Sequence, residues 1–327
     1  MSQIVVEDLK KTFKVARRQA GLLNSFKSVV LREHITVNAL QGISFRLDEG
    51  ELVGYIGPNG AGKSTTVKVM SGILVPDSGR CEILGRTPWK NRIEHVRRIG
   101  VVFGQRTQLW WDVPVIDSFE LLRDIYRVPQ AVYARTRDEL VEGLRLQSLL
   151  EIPVRQLSLG QKMKCELAAS MLHQPPILFL DEPTIGLDAV SKLAVRDFIK
   201  RANRERGVTV ILTTHDMDDI EALCSRILVI GKGRILIDGT VDQLRNTVIP
   251  ERMVKIEFVN GTPSLVLPCA RVIRTNSHTV ELRCDLREMS AADLIHTVSQ
   301  QAEIKDFTVE NPPIEEIVAR MYSKMEI

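Results

Sequence analysis

The nine residues Gly57-Pro58-Asn59-Gly60-Ala61-Gly62-Lys63-Ser64-Thr65 constrain what this chain can fold into more than any other segment. They match Gly-x-x-x-x-Gly-Lys-[Ser/Thr], with a strand-like run over residues 51–56 before them and a helical pattern over 64–70 after. Small residues let the backbone curl so that successive N–H groups point at one anion. The helix start adds the positive end of its dipole. Lys63 offers charge to β- and γ-phosphate oxygens, and the Ser64 hydroxyl is a hard oxygen ligand suited to Mg²⁺. The alternative is a glycine-rich turn with no ligand, which the complete motif in this context disfavours.

Around the loop, strand-like and helix-like segments alternate. Residues 5–9, 40–47, 99–103, 177–180, 208–212 and 227–230 read as strands, and 161–173 and 189–205 as helices. This alternation predicts an α/β domain with a parallel core sheet. The rhythm changes near Val248-Ile249-Pro250. Beyond it, residues 254–258, 279–283 and 305–309 read as strands, and 291–300 and 314–321 as helices. The expectation is one large domain over residues 1–245 and a small α+β accessory domain over 246–327, in keeping with a chain of 327 residues.

A second constellation is Ile177-Leu178-Phe179-Leu180-Asp181-Glu182. A buried strand would deliver two carboxylates to the carboxyl edge of the sheet, where ligands of α/β proteins bind. Asp181 is the expected holder of Mg²⁺, through water, and Glu182 the expected general base toward an attacking water. The plainer alternative is a strand end with two solvated acids.

Leu157-Ser158-Leu159-Gly160-Gln161, upstream of Asp181, resembles the LSGGQ signature of ATP-binding-cassette (ABC) ATPases, with Leu159 in place of a glycine. The resemblance covers roughly residues 3–245 and implies a P-loop NTPase cassette. Such a cassette has a RecA-like core sheet and a helical subdomain, here over about 106–160. It implies that two copies pair head to tail, with ATP between the phosphate loop of one and the signature of the other. Ser158, Gly160 and Gln161 would then face the γ-phosphate bound by the second copy. Gln105 looks like the glutamine that senses Mg²⁺ and the attacking water. Gly186-Leu187-Asp188 resembles the D-loop, with Asp188 addressing the opposite site. His215 looks like the switch histidine, and Phe13 matches the aromatic that stacks on adenine.

The implied catalytic set is Glu182, His215, Gln105 and Lys63, and the implied Mg²⁺ set is Ser64, Gln105 and Asp181. ATP would be held by Phe13, residues Gly57 to Thr65, and Ser158, Gly160, Gln161 and Asp188. Residues 101–112, Val101-Val102-Phe103-Gly104-Gln105-Arg106-Thr107-Gln108-Leu109-Trp110-Trp111-Asp112, resemble the drug- and sodium-export cassettes that serve separately encoded type-two permeases. That implies an ATPase subunit lying peripherally on the cytoplasmic face of the membrane. Trp110, Trp111 and Asp112 are then candidates for the groove that receives a permease helix, or else they pack the helical subdomain. The C-terminal domain could be regulatory, a ligand sensor or a dimer-stabilising element; similar exporter cassettes carry a helical tail there, which favours pairing of two copies through 314–321.

Composition narrows the alternatives. Lys and Arg number 44 against 41 Asp and Glu, a formal +3, so net charge makes no case for nucleic-acid binding. No apolar run approaches the roughly 18 residues that cross a bilayer. The first residues carry no basic segment leading into an apolar core, so no secretory signal is expected. Cys81, Cys165, Cys224, Cys269 and Cys284 have no CxxC spacing, and reduced thiols are expected. His34, His95, His173, His278 and His296 show no metal-ligand spacing. Near neutrality hides a basic insertion at about 14–36: residues 10–34 hold seven Lys or Arg against Glu33 alone, with Leu22, Leu23, Phe26, Val29 and Val30 at helical spacing. It reads either as a helix facing the permease or membrane surface, or as a solvated basic helix packed on the cassette. A soluble ABC ATPase of DNA repair would need a long coiled coil, but only about fifty residues without heptads separate Gln105 from the signature. A GTPase would need a guanine-reading NKxD segment, which the sequence lacks.

Overall fold

The computed structural model describes residues 2–16, 34–104, 106–248, 251–263, 265, 267, 270–285, 288–312 and 314–324. Gln105, Cys269 and residues 17–33, which carry the apolar stripe of the basic insertion, lie outside the described residues. Two compact units form, residues 1–239 and 240–327.

In the first unit the strands are β1 (Ser2–Ala16), β2 (His34–Asp48), β3 (Leu52–Ile56), β4 (Ser78–Ile83), β5 (Ile99–Phe103), β6 (Ile177–Asp181), β7 (Thr209–Thr213), β8 (Arg226–Gly231) and β9 (Arg234–Thr240). The helices are α1 (Lys63–Met70), α2 (Arg92–Val96), α3 (Val115–Tyr126), α4 (Gln130–Leu144), α5 (Leu159–Met171), α6 (Ala189–Arg206) and α7 (Met217–Leu223). A six-stranded sheet runs in the order β5-β6-β7-β3-β8-β9. Its pairs β5–β6, β6–β7, β7–β3 and β3–β8 are parallel. Every residue of β3 and β7 is buried, as expected of strands covered on both faces. The register sets Asp181 of β6 level with Thr213 of β7, and Thr213 level with Tyr55 of β3. Three adjacent strands therefore end side by side, and their outgoing loops open on one edge. Helix α6 buries Val195, Phe198, Ile199 and Ala202 on a single face and ends at Gly207, at φ 64°.

The sequence places residues 5–9 and 40–47 in the same rhythm as the core. The structure instead puts them in a separate antiparallel sheet, ordered β2-β1-β4. The reason is their alternation: Ile4 and Val6 of β1 and Ile43, Phe45 and Leu47 of β2 are buried while their neighbours are wet. Such a pattern suits a sheet with one solvated face. β4 carries too few apolar residues to be read in advance; its Ser78, Gly79 and Arg80 are all exposed. Between β5 and β6 lie α3, α4 and the start of α5, whose Phe119, Leu122, Tyr133, Leu140 and Leu144 are buried.

The second unit holds α8 (Val241–Val248), β10 (Glu251–Phe258), β11 (Ala270–Thr275), β12 (Thr279–Asp285), α9 (Ala291–Ser299), β13 (Ile304–Glu310) and α10 (Ile314–Lys324). Its antiparallel sheet, β11-β12-β10-β13, packs Val254, Ile256, Phe258, Val280, Leu282 and Cys284 against Leu294 and Val298 of α9. On α10, Ile317, Val318 and Met321 are buried, and Glu316 accepts from Arg283 of β12 at 2.5 Å. Ile317, Val318 and Met321 thus pack within the chain.

One buried histidine ties the helical region to the core sheet. His173, just beyond α5, stacks on Tyr126 with ring centroids 3.9 Å apart and has Nε2 2.9 Å from the Ile99 carbonyl oxygen. That oxygen can only accept, so Nε2 carries the proton. Nδ1 has no hydrogen-bond partner among the described residues. Burial pushes the pKa down to about 4 from 6.5. Between those values the unfolded chain binds more protons than the folded one, so stability is lost as pH falls through the unfolded value. His173→Phe is expected to reduce the drop in unfolding free energy between pH 7 and pH 5 by about 1–2 kcal/mol, read from urea titrations at both pH values.

Candidate functional site

The phosphate loop grows out of β3 and is held from behind by backbone. Gly62 caps α1 at φ 112°, a conformation glycine adopts easily. A Cβ there would also stand 2.6 Å from the Ala39 carbonyl oxygen, and one on Gly57 would stand 2.4 Å from that of Ile230. The buried Ala61 accepts the Gly233 N–H at 3.0 Å, which fastens the loop further. The Lys63 ammonium donates to the carbonyl oxygens of Gly57 at 2.6 Å and Pro58 at 3.3 Å. Burial pushes its pKa down, and the carboxylates of Glu182 and Asp181 oppose that shift.

Across from the loop stand the two acids. The Ser64 hydroxyl donates to Asp181 Oδ1 at 3.2 Å, and the Thr213 hydroxyl donates to the same oxygen at 2.6 Å. Glu182 follows β6 in the left-handed region, at φ 58°. Such a residue costs about 1–2 kcal/mol and persists only where its surroundings over-determine it. Here its N–H donates to the Thr213 carbonyl at 2.9 Å, and the adjacent Gly104 N–H donates to the Asp181 carbonyl at 2.7 Å. The bend turns the Glu182 carboxylate toward His215, whose Nδ1 lies 2.7 Å from Oε2.

Gly57, Pro58, Asn59, Gly60, Gly62, Lys63, Ser64, Thr65, Glu182 and His215 line one cleft of about 700 Å³ with Ile185. Asp181 lines an adjoining cleft of about 340 Å³ with Ser64 and Glu182. A larger cleft of about 980 Å³ between α4, α5 and α6 gathers none of this chemistry. Among the described residues, the groups able to hold a metal include no cluster of three or more His, Cys, Asp or Glu. The Ser64 and Asp181 oxygens nevertheless fit Mg²⁺. That ion prefers hard oxygen donors and is commonly held by one or two protein oxygens, with substrate phosphates and water completing the shell.

Other expected site residues stand apart from this cleft. Phe13 lies on β1, paired with Val37, with the Lys11 ammonium 5.7 Å from its ring centroid. Ser158 caps α5: its Oγ accepts the Gln161 N–H at 3.2 Å, and the Gln161 side chain accepts the Ser158 N–H at 2.9 Å. The Gln161 amide is thus occupied in a capping box. Gly160 is buried against the next loop, where a Cβ would meet Ser191 Oγ at 2.3 Å. Asp188 caps α6, accepting from Ser191 N and Oγ, both at 2.9 Å, and these bonds hold its carboxyl below the usual range. Leu159, 46% exposed, reaches toward Gly186, where a Cβ would lie 2.9 Å from its Cδ2. In this chain the signature segment and the Asp188 loop form one packed unit.

Several polar partners have no signal in the sequence. Thr213 fixes Asp181 as described. Buried Glu166 of α5 accepts from the Thr107 hydroxyl and from the Gln108 N–H at 3.2 Å, and burial raises its pKa. Thr184, Thr214 and Asp219 are buried together. The Thr213–Asp181, Thr184–Asp219 and Thr107–Glu166 contacts join residues 32, 35 and 59 positions apart, beyond any local pattern.

The family model described as ABC transporter matches residues 40–185. An ABC transporter ATP-binding protein of Bacillus subtilis (strain 168), YhcH, is 33% identical over 215 residues, covering 64% of this chain and 69% of that protein. The Nod factor export ATP-binding protein I of Ralstonia nicotianae is 30% identical over 266 residues, 81% of each. Among solved structures, the dimeric post-hydrolysis state of the ATP-binding cassette MJ0796 with ADP and Pi matches with TM-score 0.61 and 25% identity. That match covers 73% of this chain and 98% of that one.

The contact between Gly160 and Ser191 is testable. Gly160→Ala is expected to destabilise the chain by about 1–3 kcal/mol through overpacking, despite the better helix propensity of alanine. Adding Ser191→Ala removes the nearer obstacle and is expected to restore part of the loss in thermal melts. Equal stability of Gly160→Ala and wild type would contradict the packing.

Proposed function

Since this chain belongs to the ATP-binding proteins of ABC transporters, and so is an ATPase that binds ATP with Mg²⁺, we propose that Glu182 is its general base and that the energy drives export through a separate membrane subunit. One observation carries the base assignment: the bend at Glu182 sets its carboxylate 2.7 Å from His215 in the cleft that Lys63 and the phosphate loop line. The phosphate loop amides and Lys63 hold the terminal phosphates. Glu182 takes a proton from water as the water oxygen bonds to the γ-phosphorus and the bond to the β–γ bridging oxygen breaks, releasing ADP and phosphate. His215 keeps the Glu182 carboxylate aimed and offers its other ring nitrogen to the transferring group. Ser64 and Asp181 hold Mg²⁺, which supplies charge neutralisation to the phosphate oxygens. Gln105 completes this set in the proposal, and Phe13 offers a stacking face to adenine.

Ser158, Gly160 and Asp188 do not line this cleft, so we assign them to the site of a second copy paired head to tail. The first turn of α5 presents N–H groups and a helix dipole suited to a phosphate. The paired structure of the MJ0796 cassette supports this arrangement. Support for export comes from the Nod factor relative, of which the match spans 81%. No helix among the described residues is long and apolar enough to cross a membrane, and we place the chain peripherally on the cytoplasmic face.

Glu182→Gln keeps the shape and removes the base. Turnover is expected to fall by about 10²–10⁴-fold while ATP binding persists. Hydrolysis at the wild-type rate, alone and with the membrane subunit, would overturn the assignment. For the membrane subunit, the proposed contact is the wet tryptophan pair: Trp110 is 39% and Trp111 54% exposed, with Lys162 5.2 Å from the Trp111 ring. Exposed tryptophan is characteristic of interfaces. Replacing both with alanine is expected to lower transport in vesicles more than basal ATPase, and unchanged transport would count against that surface.

A further inference from the structure

Behind the Glu182–His215 pair lies a carboxylate that the reaction does not use. Asp219 of α7 is fully buried. Its Oδ1 accepts from Arg196 Nε at 2.5 Å, and its Oδ2 accepts from the Thr184 hydroxyl and, at 3.4 Å, from the Thr214 hydroxyl. Thr184 and Thr214 are themselves buried. Thr184 lies two residues after Glu182, and Thr214 immediately precedes His215. One buried oxygen therefore pins both loops that carry the pair. A buried carboxylate is tolerated only when its charge and lone pairs are matched, and removing a partner leaves an uncompensated group. The pinning matters because Glu182 holds a backbone conformation, φ 58°, that it would relax if its loop were released.

The same carboxylate reaches the helix capped by Asp188. Arg196 lies on α6 and also approaches Asp216 Oδ1 at 3.6 Å, while Lys192, one turn earlier on α6, pairs with the other Asp216 oxygen. Asp216 follows His215 directly. Helix α6 is thus fastened to the His215 loop at two points and, through Asp219, to the Glu182 loop.

We propose that Asp219 is a positioning residue that sets the Glu182–His215 geometry through Thr184 and Thr214 and links it to the helix that carries Asp188. This rests on the proposed roles of Glu182 and His215. Pre-organised catalytic groups are sensitive to displacement, and a shift of about 1 Å can cost about a hundredfold.

The test compares Thr184→Val, Thr184→Ser, Asp219→Asn and the double variant Thr184→Val/Asp219→Asn. It measures ATPase kcat and, separately, the Kd of a fluorescent ATP analogue, on protein whose folding is checked by thermal melting. Thr184→Val is expected to lower kcat by about ten- to a hundredfold with Kd within about twofold, a loss confined to the chemical step. Thr184→Ser keeps the hydroxyl and is expected to stay near wild type. The double variant is expected to be no worse than its weaker single, because Thr184 acts through the Asp219 carboxylate that the second change removes. Wild-type kcat in Thr184→Val would overturn the proposal. So would equal damage from valine and serine, which would mean packing, or effects that multiply in the double variant. If Asp219→Asn does not fold, the valine–serine comparison decides alone. A silent Thr184→Val beside an inactive Glu182→Gln would defeat this inference only, whereas an active Glu182→Gln would defeat the reading beneath it.

Discussion

The parallel pairing of β6, β7 and β3 is the constraint on which the site depends. A parallel sheet sends consecutive outgoing loops to one edge. The register fixes Asp181, Thr213 and Tyr55 level with one another, so the carboxylates, the His215 loop and the phosphate loop emerge together. Short contacts then join these loops: Ser64 touches Asp181, and Glu182 touches His215. The chemistry is placed by backbone hydrogen bonds, and side chains make the final adjustment.

That architecture has a cost, carried at identifiable points. Glu182 is bent into the left-handed region, Lys63 is desolvated, and Asp219 is taken wholly out of water. Each is compensated by neighbours that a soluble peptide would lack. Glu182 is held by Thr213, Lys63 by the carbonyls of its own loop, and Asp219 by Arg196 and two threonines.

The phosphate loop and the acids after β6 were legible because their spacing is local and a continuous apolar run marks the strand. His215 and the signature were legible by resemblance. The antiparallel β2-β1-β4 sheet was not, because its alternation resembles any half-buried strand and β4 is nearly all polar. Thr184, Thr213, Thr214 and Asp219 were invisible because threonine and aspartate are ordinary surface residues until tertiary structure buries them. Ser158-x-x-Gln161 is a different case: the spacing of a capping box was present in the sequence and accounts for the Gln161 side chain without any ligand.

Within one chain, the residues proposed to meet ATP fall in two separate places. The cleft with Lys63, Glu182 and His215 lacks Ser158 and Asp188, which cap α5 and α6 where Gly160 packs on Ser191. In the proposed pairing a second copy closes the site. Its most direct test is the specific ATPase activity of the purified chain over a dilution series with saturating ATP and Mg²⁺, beside sedimentation at the same concentrations. Activity per molecule is expected to fall toward zero as pairs separate. Constant activity per molecule down to concentrations where the chain sediments singly would contradict it.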